Sequence, residues 1–270
     1  MSAVVDPFAA PTTGSRRFLP ALNPLAKLAA VIPATVLLVF VRDLATPLVF
    51  LALAYVVLLG GVRFTRRLAL ILFLAIPVGI VLIGCGFALW TDAALVETTP
   101  VVLEIGQWRL HAGALQIGFA TALRLGAIIA LALLAGLTTT GPDLVRSLVQ
   151  QLRVPYRVGY AALAAFRFVP RFAHELDVIR QAHRVRGAHG GRGPFAAVTR
   201  GFGYAVPLLA SAIRHAERVA LAMDARAFGA YPDRTERHEV PFRARDTVFV
   251  LLFWAVSAAV LVVLFPWGID

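Results

Sequence analysis

Residues 68–90 read LALILFLAIPVGIVLIGCGFALW, twenty-three positions without a charged side chain. A helix rises about 1.5 Å per residue, so a run of this length covers the roughly 30 Å of hydrocarbon in a bilayer. A soluble helix keeps a polar face for water; this stretch has none, and lipid is the solvent it suits. Working outward, further apolar runs occupy 25–41, 44–62, 114–137 and 247–265. The chain of 270 residues is 59% hydrophobic and only 15% charged, well below the quarter or so charged in a soluble domain. The expected fold is therefore an all-α polytopic membrane protein with about five transmembrane helices and an added amphipathic region.

Charge orients the chain. The formal net charge is +11, and seventeen of the arginines lie between Gly141 and Arg245. So basic a region invites a nucleic-acid reading, but arginine retained on the cytoplasmic side of a membrane accounts for it without one, and no nucleic-acid partner is expected. Arg16, Arg17 and Lys27 precede the first span and Arg63, Arg66 and Arg67 follow the second, which places both segments inside. The third connection carries Asp92, Glu97 and Glu104 against Arg109, as an outer loop should. Four segments follow: a flexible cytoplasmic tail at 1–22, four spans within 23–140, a cytoplasmic amphipathic region at 141–245 and a last span at 246–270. The expected location is the inner (plasma) membrane, with the N-terminus cytoplasmic and Asp270 outside. Ser15-Arg16-Arg17-Phe18-Leu19 faintly suggests a twin-arginine signal, but Pro20 follows and no small-residue cleavage pattern is evident.

Within the spans, Pro33, Pro47 and Pro77 and the glycines at 79, 84 and 86 mark bends that neighbouring helices can accommodate. Cys85 reads as packing. Gly118, Ala122, Gly126 and Ala130 recur every fourth residue in the fourth span, a stripe against which another helix, of this chain or of a second membrane subunit, can lie closely. Arg124 shares that span, where an unpaired arginine costs about 2.5–3.5 kcal/mol, so it should face protein or water. It is either a contact for a second membrane subunit or one half of a buried pair with an outer-loop carboxylate.

Beyond Thr138-Thr139-Thr140-Gly141-Pro142-Asp143, a helix stop and restart, Leu144, Val145, Leu148, Val149 and Leu152 form one apolar face. Two longer amphipathic helices follow. The first has Val169, Phe172, Leu176 and Ile179 on one face, with Arg171 and Glu175 one turn apart on the other. It ends at Arg186-Gly187, before the Gly-rich run 190–194. The second keeps Val206, Leu209, Ile213, Ala216, Ala220, Met223 and Ala227 in register and ends at Arg226-Ala227-Phe228-Gly229. Arginine near a helix end complements the dipole and Gly187 suits a left-handed cap, which is a sufficient account of either end alone. An arginine at a protruding tip can also enter a groove and grip carboxylate or backbone acceptors.

An enzyme needs converging acid, base or metal-binding groups. His174, His183, His189 and His215 have no metal-protease spacing, and no paired-cysteine pattern exists, so no catalytic residue, metal site or cofactor is expected. Lys27 is the sole lysine and no phosphate-cradling loop surrounds it; if ATP is used, another chain binds it. A stand-alone channel or carrier would line a path with intramembrane polar groups, and Arg124 alone qualifies.

The run from Phe166-Arg167-Phe168-Val169-Pro170-Arg171 through His183-Arg184-Val185-Arg186-Gly187 resembles the first signature of the energy-coupling factor T component. That family includes the membrane subunits of cobalt and biotin importers. Ala222-Met223-Asp224-Ala225-Arg226-Ala227-Phe228-Gly229 is similar to the second signature, and Asn23-Pro24-Leu25-Ala26-Lys27-Leu28 and Thr138-Thr139-Thr140-Gly141-Pro142-Asp143-Leu144 match further family patterns. The resemblance implies that Val185-Arg186-Gly187 and Ala225-Arg226-Ala227 are the cores that dock into grooves on two cytoplasmic ABC-type ATPase subunits. Val185 and Ala227 stand where the family has alanine and glycine. It further implies a separate membrane-embedded substrate-binding S component for a vitamin or transition metal, with this chain as the coupling subunit between them.

Overall fold

The Asn23 side chain accepts a hydrogen bond from Leu25 N–H at 2.9 Å, and behind that cap, with Pro24 in the first turn, the chain enters helix α1 (Pro24–Phe40). The computed structural model describes residues 18–62, 64–92, 96, 99–105, 108–187, 196–232, 235–236 and 238–264. Arg16, Arg17, Arg63, Glu97, His189, the run 190–194 and Asp270 lie outside the described residues, as does the side chain of Arg109. The chain divides into two compact units, one formed by Ala10–Thr140 with Pro241–Asp270 and the other containing Gly141–Val240.

The first unit is the membrane protein read from the sequence. It holds α1, α2 (Ala45–Gly61), α3 (Arg66–Trp90), α4 (Ala112–Gly136) and α8 (Ala244–Leu264). The ends of these five helices fall within three residues of those expected. Helices α3, α4 and α8 are long and apolar enough to cross a bilayer, while α1 and α2, at 17 residues each, cover about 25 Å. The core joins small residues on α1 (Ala26, Ala30, Ala34) and Phe50 and Ala54 of α2 with Ala127, Leu131 and Leu134 of α4.

Helix α3 widens to a π-turn over Ile71–Ala75, just ahead of Pro77. Ile76 N–H bonds to Ile71 O in place of Leu72 O, and Pro77 has no N–H to offer, so the Leu72 carbonyl loses its helical donors. Tyr55 of α2 donates its hydroxyl to that carbonyl. In a medium without water the freed acceptor is thus satisfied by the neighbouring helix.

The small-residue stripe faces α3 of the same chain. A Cβ on Gly118 would lie 2.4 Å from the Gly84 carbonyl oxygen, and one on Gly126 would lie 2.8 Å from Ile80. Ala122 and Ala130 are buried. Of the two expected neighbours, a helix of this chain or of a second membrane subunit, α3 of this chain takes up the space at Gly118 and Gly126. Arg124 also finds partners within the chain. Its Nη1 donates to the carbonyls of Val39 (3.3 Å) and Val41 (3.0 Å), the last turn and exit of α1. Its partner within the chain is the negative end of a helix rather than an outer-loop carboxylate.

Between α3 and α4 the chain forms a hairpin of β1 (Val101–Ile105) and β2 (Trp108–His111), antiparallel with Glu104 opposite Arg109 and a register irregularity between Val101 and Leu103. The charge pattern of this loop gave no hint of it.

Candidate functional site

The second unit carries α5 (Gly141–Gln151), α6 (Tyr156–Val185) and α7 (Ala196–Asp224). Helix α5 opens with the buried Pro142, and Arg146 folds back on Asp143 at 2.8 Å. Gln150 and Gln151 hold the returning chain: Gln150 Nε2 donates to His238 O at 2.9 Å, Gln150 Oε1 accepts from Val240 N–H at 2.8 Å, and Gln151 Nε2 donates to Val240 O at 2.8 Å.

Helices α6 and α7 run antiparallel. His183 meets Tyr204 with ring centroids 5.2 Å apart, Ser211 Oγ donates to Glu175 Oε1 at 2.6 Å, and Phe168 meets His215 at 4.5 Å. Sequence spacing paired Glu175 with Arg171; the structure gives its carboxylate to Ser211 of the opposite helix. That hydrogen bond, aided by the charges of Arg171, His174 and Arg214, holds the Glu175 carboxyl below its ordinary value despite some desolvation.

Both signature arginines occupy the same place in their helices. Arg186 is the C-cap of α6, and Gly187, the next residue, has φ +69° and donates its N–H to Arg184 O at 3.2 Å. Arg226 is likewise followed by a left-handed residue, Ala227 at φ +56°. There Ala227 N–H bonds to Asp224 O (2.9 Å) and Phe228 N–H to Met223 O (3.0 Å), the paired hydrogen bonds of a Schellman cap. The position at which the sequence departs from the family's glycine is therefore one that favours glycine.

Because the helices are antiparallel, the two arginines lie at opposite ends of the pair. Phe228, two residues past Arg226, contacts the rings of Tyr156 and Tyr160 at the start of α6, whereas Arg186 closes its far end. From Tyr160 to Arg186 the helix runs roughly 39 Å at 1.5 Å per residue.

The two ends are supported differently. Val185 is 89% exposed, Arg186 is exposed, and a Cβ on Gly187 would meet nothing within 4 Å. The Arg226 turn is braced instead: Arg157 Nη2 donates to Gly229 O (2.6 Å), Tyr156 OH to Tyr231 O (2.6 Å) and Tyr160 OH to Glu236 Oε2 (2.8 Å). Ala225, Arg226 and Ala227 remain exposed, and Arg226 and Ala227 line a cleft of about 720 Å³ together with Arg146, Arg167 and Glu236. Sequence reasoning singled out the six core residues but missed this brace. Only Phe228-Gly229, directly after the core at the end of the signature, pointed to it. Along α7, Phe202, Val206, Leu209 and Ile213 remain more than half exposed, so the face expected from their spacing is not covered by this chain.

The chain is thus a helical membrane protein with an added amphipathic unit that carries an exposed apolar stripe and two arginine-tipped helix ends. Residues 15–237 match the family described as CbiQ, cobalt transport protein, and the chain belongs to that family. It is similar to proteins named energy-coupling factor transporter transmembrane protein EcfT. With the protein of that name from Thermotoga maritima it shares 38% identity over 110 residues, 40% of this chain and 41% of the relative. With that from Bacillus subtilis identity is 27%, over 59% of this chain and 63% of the relative. With that from Brevibacillus brevis it is 29%, over 85% and 89%. The chain thus spans under two thirds of the length of the first two.

Proposed function

We propose that this chain is the coupling subunit of an ABC-type energy-coupling factor importer, transmitting conformational change in two ATPase subunits to a separate membrane-embedded subunit that binds a vitamin or transition metal. The observation that carries this reading is the repeated cap: Arg186 and Arg226, each followed by a left-handed residue, at opposite ends of one antiparallel pair. One helix tip serves a single contact. Two equivalent tips roughly 39 Å apart suit two copies of a similar partner. Each arginine would enter a groove on one ATPase, and the exposed α7 stripe from Phe202 to Ile213 would meet the substrate-binding subunit. A coupling element must be bound differently in two partner states, which two separated contacts on one rigid pair allow. The amphipathic unit then lies in the cytoplasm, as its arginine content requires. The chain itself performs no hydrolysis. The carrier alternative is weakened because α1 carbonyls occupy Arg124, its one intramembrane ionisable candidate.

Co-purification from membranes with the candidate ATPases, for the parent chain and for Arg186→Ala, Arg226→Ala and the double substitution, tests this directly. The expected result is a stable complex for the parent and a folded double variant that loses assembly. A double variant that assembles and hydrolyses ATP like the parent would reduce both arginines to ordinary helix ends.

A further inference from the structure

Two sequence patterns have no part in the arginine tips: Asn23-Pro24-Leu25-Ala26-Lys27 and Thr138-Thr139-Thr140. The fold brings them together. Lys27 is only 1% exposed, and its Nζ donates to Thr138 O at 2.7 Å and lies 3.4 Å from Thr139 Oγ1, just beyond the C-terminal end of α4. A cation there satisfies carbonyls the helix leaves open. One turn earlier, Asn23 does the same for the returning chain. Its N–H donates to Asp246 Oδ1 at 2.8 Å and its Nδ2 to Pro241 O at 3.4 Å. Asp246, also 1% exposed, accepts Arg243 N–H on its other oxygen at 2.7 Å, and so caps α8 while holding the start of α1. Arg245 adds a bond to Ala21 O.

Among the described residues the chain passes between its two units at 140–141 and 240–241. Both crossings are therefore pinned, within three residues, to one short segment of α1. Buried charges are expensive unless fully bonded, and neither Lys27 nor Asp246 is needed merely to fill space that Leu or Met would fill. We propose that Asn23, Lys27 and Asp246 are positioning residues that form a fixed pivot for both crossings, so that movement of the arginine-tipped pair reaches the membrane helices without being absorbed by slack connections. This rests on the coupling reading above.

Hydrogen exchange with mass-spectrometric readout on the complex purified from its own membrane tests it. In the wild type, adding ATP should alter exchange around 182–187 and 221–229 while leaving 138–140 and 243–247 unchanged. Lys27→Met should speed exchange at 138–140 by about tenfold, and Asp246→Asn should do so at 243–247, each with the spans still protected. Lys27→Arg, which keeps a cation and a donor, should restore most of the protection. The pivot is refuted if ATP loosens the crossings as much as the tips, a result that does not depend on any variant folding. It is equally refuted if both substitutions leave the crossings protected. If ATP leaves the tips unchanged while the substitutions still loosen the crossings, the anchoring stands and the coupling reading fails.

Discussion

Replacing Ala227 by glycine should strengthen the turn that presents Arg226. Ala227 sits at φ +56°, where an L-residue with a Cβ pays about 1–2 kcal/mol relative to the right-handed region. Glycine pays almost none of this but loses more freedom on ordering, an opposing cost of about 0.4–1 kcal/mol. The net gain is about 0.5–1 kcal/mol, or a two- to five-fold lower population of the opened cap. The amides that report it are Ala227 N–H and Phe228 N–H, bonded to Asp224 O and Met223 O. Their exchange in Ala227→Gly should slow by about two- to five-fold. The mirror substitution, Gly187→Ala, meets nothing within 4 Å, so its cost is backbone alone: exchange at Gly187 should quicken by a similar factor, and Gly187→Asn should fall between. Unchanged or faster exchange in Ala227→Gly would show that the left-handed residue is not where the strain of this cap resides.

Gly118→Val should push α3 from α4 and cost about 1–3 kcal/mol in detergent unfolding, because even a Cβ would stand 2.4 Å from Gly84 O; Gly136→Ala, with nothing near it, should be close to neutral. Tyr55→Phe strands the Leu72 carbonyl within the spans and should cost about 1–3 kcal/mol, read by the same unfolding curve. Arg124→Leu should weaken the α1 exit by a similar amount, and a neutral result would mean water satisfies Val39 and Val41. Glu175 is held below its ordinary 4.5, so its contribution to the α6–α7 pair is complete above that value and is lost as pH falls through the lower folded value. Ser211→Ala should move the Glu175 titration, followed by carboxyl NMR shifts, back up towards 4.5.

The spans were legible because lipid tolerates so few side chains that length and hydropathy decide the matter, and the ends of α1 and α2 fell within a residue of expectation. What the sequence left open was which residue meets which. The stripe from Gly118 to Ala130 announces close approach but carries no address, and only the fold reveals α3 opposite it. Glu175 has Arg171 at helical spacing, yet Ser211, thirty-six residues away, takes the carboxylate. The hairpin was visible in principle, since Val101-Val102-Leu103 is a β-favouring run, but a loop read for charge alone conceals it. Of the two arginine caps, Gly187 advertised its left-handed turn and Ala227 did not, because alanine is normally evidence against that conformation. The partnership of Lys27 with Thr138 spans 111 residues and has no local trace at all.

The antiparallel arrangement of α6 and α7 has a mechanical consequence. Forces applied at Arg186 and at the Arg226 turn act on opposite ends of one beam, each about 20 Å from its middle. Pushed the same way, the beam translates; pushed in opposite senses, it experiences a torque, and a turn of about 10° carries each end some 3.5 Å, by the same helical rise. The middle of the beam, where Ser211 meets Glu175 and Phe168 meets His215, would barely move. Partners that pushed the two ends in opposite senses would turn the helices rather than shift them.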